Sequence, residues 1–296
     1  MKLTVVTVLA LATLAYGRSV DFEDGLEIIT AYNYHERFGI PLANEIREAE
    51  EAEISGARIV GGSTSSLGQF PYQAGLLITS ASGQGVCGGS LLNRRRVLTA
   101  AHCWWDGRTQ GTSITVVLGS VRIFSGGVRL NTRDIVMHGS WSPSTTRNDV
   151  AMIRLPSNVG LSNTINVINL PSGSQLNENF SGQRAIASGF GLTRDGGSIG
   201  SNQGLSHVTL DVITNAVCQR TPGIGGFVQS SNICTSGAGG RSTCRGDSGG
   251  PLAITRNSRP LLIGITSFGH ASGCQRGHPA VFARTTSFMD FINRNL

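Results

Sequence analysis

Lysine is almost absent from this 296-residue chain: of its 24 basic residues only Lys2 is a lysine, and all the others are arginine. A lysine ammonium discharges near pH 10.4, whereas a guanidinium stays charged past about pH 12. The bias therefore fits either a strongly alkaline working fluid or a drift in nucleotide composition, and the sequence does not choose between them. Long apolar runs are missing too. Beyond residue 17 nothing approaches the roughly 20 apolar residues of a spanning helix, so no membrane partner is expected. The opening "MKLTVVTVLALATLAYG" carries one lysine, a short apolar run and then small residues, the pattern of a secretory signal, and so a secreted, extracellular product is expected. Charged residues make up only 14% of the chain. The arginines are scattered apart from "NRRRV" at 93–97, with no basic stripe interleaved with aromatics, which argues against a nucleic-acid partner. No internal repeat is present.

Cysteine is present as an even set: Cys87, Cys103, Cys218, Cys234, Cys244 and Cys274. In an exported chain this favours three disulfides, which could be connected in about 15 ways. Acidic residues are concentrated at one end. Residues 18–58 hold ten Asp and Glu against four Arg, whereas 59–296 hold eight acidic residues against 19 Arg. The acidic part has one helix-like stretch, "PLANEIREAEEAEI" at 41–54, and no cysteine to tie it to the rest. At "GARIVGG", 56–62, the character changes. Arg58 stands in a small-residue loop directly before Ile59 and Val60, which is either a processing point or an ordinary linker entering a strand.

From residue 59 onward, short runs rich in Val, Ile, Leu and Thr are separated by Gly, Ser, Asn and Pro. "QAGLLIT", "SITVVLG", "RAIASGF" and "PLLIGITSF" are typical, and they predict an all-β fold of one large domain or two packed β units. Only "TTSFMDFINRNL" at the end has helical spacing, with Phe288, Phe291 and Ile292 on one face.

Three short strings carry chemistry. "LTAAHC" places His102 after an apolar strand and beside Cys103; "NDVAMIRL" places Asp149 at a strand entry; "GDSGGP" surrounds Ser248 with glycines. A hydroxyl nucleophile, an imidazole base, a carboxylate to hold the imidazole, and N–H donors for an oxyanion are the requirements of acyl transfer by serine. His102 alone could be structural, and Asp149 alone a turn residue. The same "GDSGGP" overlaps "RGD" at 245–247, which in an adhesion protein would expose Asp247 at a loop tip.

Together with "IVGG" at 59–62, these strings resemble the chymotrypsin-like serine proteases, in particular the digestive chymotrypsins of insects, over residues 59–296. The resemblance implies two packed six-stranded antiparallel β-barrels with a C-terminal helix, the first at about 59–168 and the second at about 169–296. It implies a signal peptide at 1–17 and an activation peptide at 18–58, cut after Arg58 by a trypsin-like protease, after which the acidic segment should leave. It implies His102, Asp149 and Ser248 as catalytic triad, Gly246 and Ser248 as oxyanion-hole donors, and a new Ile59 ammonium meeting Asp247. The disulfides it implies are Cys87 to Cys103, Cys218 to Cys234 and Cys244 to Cys274. Ser242 would floor the specificity pocket, Gly269 and Ala280 would wall it, and Ser267, Phe268 and Gly269 would pair with substrate. Without a carboxylate at its floor, such a pocket suits a large apolar side chain rather than Lys or Arg. The partners implied are protein and peptide substrates, the activating protease and protein protease inhibitors, with the enzyme itself a monomer. The stretch that binds calcium in some members reads "SVRIFSGGVRLN" here, without paired carboxylates, so neither metal nor other cofactor is expected. "NFS" at Asn179 is a glycosylation sequon. Protein digestion is the expected role; a regulatory extracellular protease and a non-catalytic binding protein of the same fold are the alternatives.

Overall fold

A computed structural model describes residues 28–54, 65–196, 199 and 204–296. The expected signal segment and the Arg58–Ile59 junction lie outside the described residues. The apolar runs form thirteen strands among them. Seven make a sheet in the order β5-β4-β1-β2-β3-β7-β6: β1 (Gln73–Ser80), β2 (Gly83–Asn93), β3 (Arg96–Thr99), β4 (Gly111–Leu118), β5 (Val128–Thr132), β6 (Ile135–Met137) and β7 (Ala151–Arg154). All its pairings are antiparallel. Strand β5 lies on one edge and β6 on the other, yet only Arg133 and Asp134 separate them. They are therefore one bent strand whose halves serve both edges, and the bend wraps the sheet into a barrel. This is why seven segments stand where six strands are expected.

The second unit is a closed six-stranded barrel, β10-β13-β12-β11-β8-β9, built from β8 (Arg184–Gly189), β9 (Ser206–Ile213), β10 (Asn232–Thr235), β11 (Pro251–Arg256), β12 (Arg259–Phe268) and β13 (Ala280–Arg284). Asn257 and Ser258, both at positive φ, make the two-residue turn joining β11 to β12, the backbone sense that suits a twisted hairpin. Each barrel is filled by side chains that alternate inward, for instance Leu76, Ile78, Ile114 and Val116 in the first and Leu210, Ile233, Leu252 and Phe282 in the second. Full burial of such side chains is worth about 1.5–3 kcal/mol each. The C-terminal helix, Met289–Asn295, adds Phe291 and Ile292 to the core of the first barrel, and the turn that leads into it adds Phe288, as their spacing predicts.

All three disulfides pair as the family resemblance implies, Cys87–Cys103, Cys218–Cys234 and Cys244–Cys274, and no cysteine is free. The acidic segment is folded as well. A short π-helical turn, His35–Gly39, leads into a helix, Ile40–Ile54, whose Leu42, Ala43, Ile46 and Glu50 are buried while Glu45, Glu48 and Glu51 face solvent. Its inner face is continuous with the core of the first barrel.

Candidate active site

His102 sits in a single helical turn, Ala101–Cys103, directly after β3, and the Cys87–Cys103 bridge holds that turn against β2. Asp149 precedes β7, after Asn148 at φ 60°, a left-handed conformation that Asn tolerates. Its carboxylate makes two bonds to His102: the backbone N–H donates to Oδ1 at 2.9 Å, and Nδ1 lies 2.8 Å from Oδ2. That contact fixes the imidazole tautomer with its proton on Nδ1, leaving Nε2 as the acceptor nitrogen. A third donor comes from the other barrel. Ser267, on β12, donates its hydroxyl to Asp149 Oδ2 at 2.6 Å. His102, Asp149 and Ser267 are each 1% exposed or less.

Ser248 lies in the loop between Cys244 and β11. Gly246 and Gly249, at φ 97° and 79°, adopt backbone that a side chain would strain, and a Cβ on Gly249 would collide with Thr99 and Gly88. The Ser248 carbonyl accepts from Gly88 N–H at 2.7 Å, so the serine is fastened to β2 of the opposite barrel. A buried bond from the Ser188 hydroxyl to Gln73 Oε1, 2.7 Å, also crosses the junction. Residues separated by a hundred positions and more thus meet at one interface.

The carboxylate of Asp247 turns inward, accepting from Cys244 N–H at 2.8 Å and Gly191 N–H at 3.0 Å. Arg245 is exposed, Gly246 is buried and Asp247 is half-buried, so the three do not form a displayed tripeptide. Asp247 borders a cavity of about 470 Å³ shared with His207, Ser206 and Leu192. Desolvation by burial pushes its carboxyl up to about 6, against the pull of the Cys244 and Gly191 N–H groups. Among the described residues no cation stands beside it.

A second cavity, of about 40 Å³, is lined by Ser242, Ser248, Gly269 and Arg245 among others, with no carboxylate on its walls. Ser242 and Gly269 thus line one cavity together. Ala280 does not border it: it is 2% exposed within the core of the second barrel, and His278 and Pro279 supply the wall at that point. Ser267 and Phe268 also line the cavity, and Gly269 follows them at the end of β12. The two groups of His, Cys and Asp side chains close enough to share an ion, among the described residues, both include disulfide sulfurs. Such sulfurs offer no thiolate to a metal.

Two barrels meeting at this arrangement of His102, Asp149 and Ser248 narrow the comparison sharply, and residues 59–292 match the family model described as Trypsin. The chain belongs to the trypsin family of serine proteases. This protease is 39% identical over 246 residues to a collagenase of Hypoderma lineatum, covering 82% of this chain and 89% of that one. It is 38% identical to the brachyurin of Leptuca pugilator over 79% of this chain and 96% of that one. The solved structure of the HL collagenase superposes with a TM-score of 0.70 at 38% identity, covering 80% of this chain and 98% of that chain. The protease is accordingly a serine endopeptidase with the two-barrel fold, acting on protein substrates. Among its described residues no helix is long and apolar enough to cross a membrane.

One contact was not legible in the sequence. The hydroxyl of Ser267 completes the donor set on Asp149, whereas in the sequence its position in "ITSFG" suggests only the strand expected to pair with substrate. The second unexpected feature is the acidic segment: Tyr34 packs edge-on against the His102 ring at 5.1 Å between centroids.

Proposed function

We propose that this serine endopeptidase is made as a secreted zymogen, cut after Arg58 by a trypsin-like protease, and that it then cleaves after large apolar or aromatic residues in the digestion of protein. The observation that carries the reading is the pair of hydrogen bonds by which the backbone N–H and Nδ1 of His102 hold the Asp149 carboxylate. In the reaction, Ser248 Oγ attacks the scissile carbonyl while His102 Nε2 takes its proton. Asp149 holds the imidazolium that forms. The N–H groups of Gly246 and Ser248 stabilise the oxyanion. Collapse expels the amine, which takes the proton back from His102, and leaves an acyl-enzyme. Water then attacks that ester with the same base, releasing the acid and restoring Ser248.

Activation centres on Asp247. A half-buried carboxylate with two backbone donors and, among the described residues, no cation beside it is a receptor for charge, and the Ile59 ammonium supplies it once the chain is cut. Ser65, six residues beyond Ile59, is fixed beside the same cavity, with its hydroxyl 3.0 Å from His207 Nδ1. Six residues reach about 20 Å at most, which favours delivery of Ile59 into that cavity.

The pocket lining favours apolar side chains because no carboxylate faces it to neutralise Lys or Arg. An edge of peptide N–H and C=O groups at Ser267–Gly269 gives substrate a strand to pair with. The same pocket makes self-activation at Arg58 inefficient. Arginine in place of lysine keeps the surface charged in alkaline fluid, which supports a digestive setting of that kind. A panel of peptides differing only in the residue before the scissile bond tests this reading. Phe, Tyr and Leu should exceed Arg and Lys in kcat/KM by at least about 100-fold, the scale of an unpaired buried charge, with activity rising above neutral pH. Preference for Arg would overturn the pocket assignment.

A further inference from the structure

Residues 28–54 are seated where substrate would lie. Thr30 N–H donates to the Gly269 carbonyl at 3.2 Å, Gly269 N–H donates to Thr30 Oγ1 at 3.0 Å, and Ala271 N–H donates to the Ile28 carbonyl at 2.7 Å. Ile29 thereby forms an antiparallel bridge with His270, extending the edge that substrate would use. Thr30 and Tyr34 then line the same pocket as Ser242 and Ser248.

Tyr34 explains why this occupant is not cut. Its hydroxyl donates to the Val86 carbonyl at 2.7 Å, and its ring covers His102. The Ser248 hydroxyl and the Gly246 N–H both lie within electrostatic reach of the phenol oxygen, although burial dominates and pushes the phenol up. The phenol thus stands in the cavity that Ser248 lines and against the His102 ring, in space a substrate would need. Downstream, Leu42 presses on the backbone at Gly246, and Arg245 lies over the Phe38 ring. At the far end Glu50, 2% exposed, accepts from Ile123 N–H, Phe124 N–H and the Ser125 hydroxyl at 2.8–3.1 Å. None of these anchors involves the linker before Arg58.

We propose that residues 28–54 are a protease inhibitor directed at their own cleft, which stays bound after the cut at Arg58 and competes with substrate until it dissociates. The proposal rests on the zymogen reading above, and the following experiment separates the two. The full chain is cut with limiting trypsin, a single cut after Arg58 is confirmed by intact mass, and the mixture is assayed over a dilution series. Specific activity should rise at least about 10-fold on dilution, as a bound segment dissociates. Adding back the segment recovered from the same digest should raise KM with kcat unchanged. The segment from a Tyr34→Ala chain should be weaker by about 10-fold or more, and that from Glu50→Gln, which spares the cleft contacts, should also be weaker. Specific activity independent of dilution, together with no inhibition by about 100 μM added segment, would overturn the proposal while leaving the protease reading intact. If the separated enzyme is inactive, that reading fails. Binding is then read without catalysis, by co-elution of the two pieces of a cut Ser248→Ala chain, and separate elution would overturn the inhibitor.

Discussion

His35 and Asp247 respond to acid in opposite senses. Burial, with His102 nearby, lowers His35 to about 4 against the pull of Asp106, whose carboxylate accepts from the His35 N–H at 2.8 Å. Tyr34 covers its ring, and Nε2 lies 3.1 Å from the Cys103 carbonyl. A base whose folded value is depressed contributes stability that is full above its ordinary 6.5 and is lost as pH falls through about 4. Asp247, raised from 3.8 to about 6, contributes stability that is full below 3.8 and is lost as pH rises through about 6. In the uncut chain, Asp247→Asn should therefore raise the Tm relative to the parent progressively from about pH 4 to 6, and His35→Gln should flatten the decline below about pH 6. Thermal melts across that range check both, and curves parallel to the parent would contradict the assignments. Ser267 makes a separate residue-scale case. Loss of a buried hydrogen bond to a carboxylate costs about 1.5–3 kcal/mol, so Ser267→Ala should lower stability by that amount in denaturant unfolding.

At the scale of elements, the strings around His102, Asp149 and Ser248 were readable because each needs its chemistry within a few residues. "LTAAHC" sets His102 beside the cysteine that pins its turn, and "GDSGGP" sets Ser248 beside Gly249, where only a glycine fits against Thr99 and Gly88. Strand runs were equally readable from their β-branched content. The bend that splits β5 from β6 was not, since Arg133 and Asp134 carry no turn signal stronger than those of many loops. The role of Ser267 was hidden because its partner lies 118 positions away. The Cys87–Cys103 bridge closes a separation of 16 residues, for which chain entropy gives about 3 kcal/mol. Replacing both cysteines with serine should cost about 2–5 kcal/mol in chemical denaturation, and an unchanged midpoint would show that the packing of β2 and β3 alone holds the His102 turn.

For the whole molecule, the charge division between an acidic segment and an arginine-rich body signalled two parts, but not how they fit. Helical spacing over 41–54 shows that a face is buried without showing what covers it, and Tyr34 and Glu50 carry no motif at all. Only the folded chain brings Tyr34 to His102 and Glu50 to the loop at 123–125. On the proposed reading, His102, Asp149 and Ser248 are already assembled, Asp247 awaits a cation, and residues 28–54 fill the cleft. Ser248 is then the single reactive hydroxyl, unmasked only by cutting and clearing. The most direct test is labelling with a serine-directed fluorophosphonate, before cutting and after cutting at Arg58 with removal of the acidic segment, with the labelled residue located by peptide mass. The account predicts no label on the uncut chain, labelling at Ser248 after removal, and none in Ser248→Ala. Equal labelling of the uncut chain, or a label at any other serine, would contradict it.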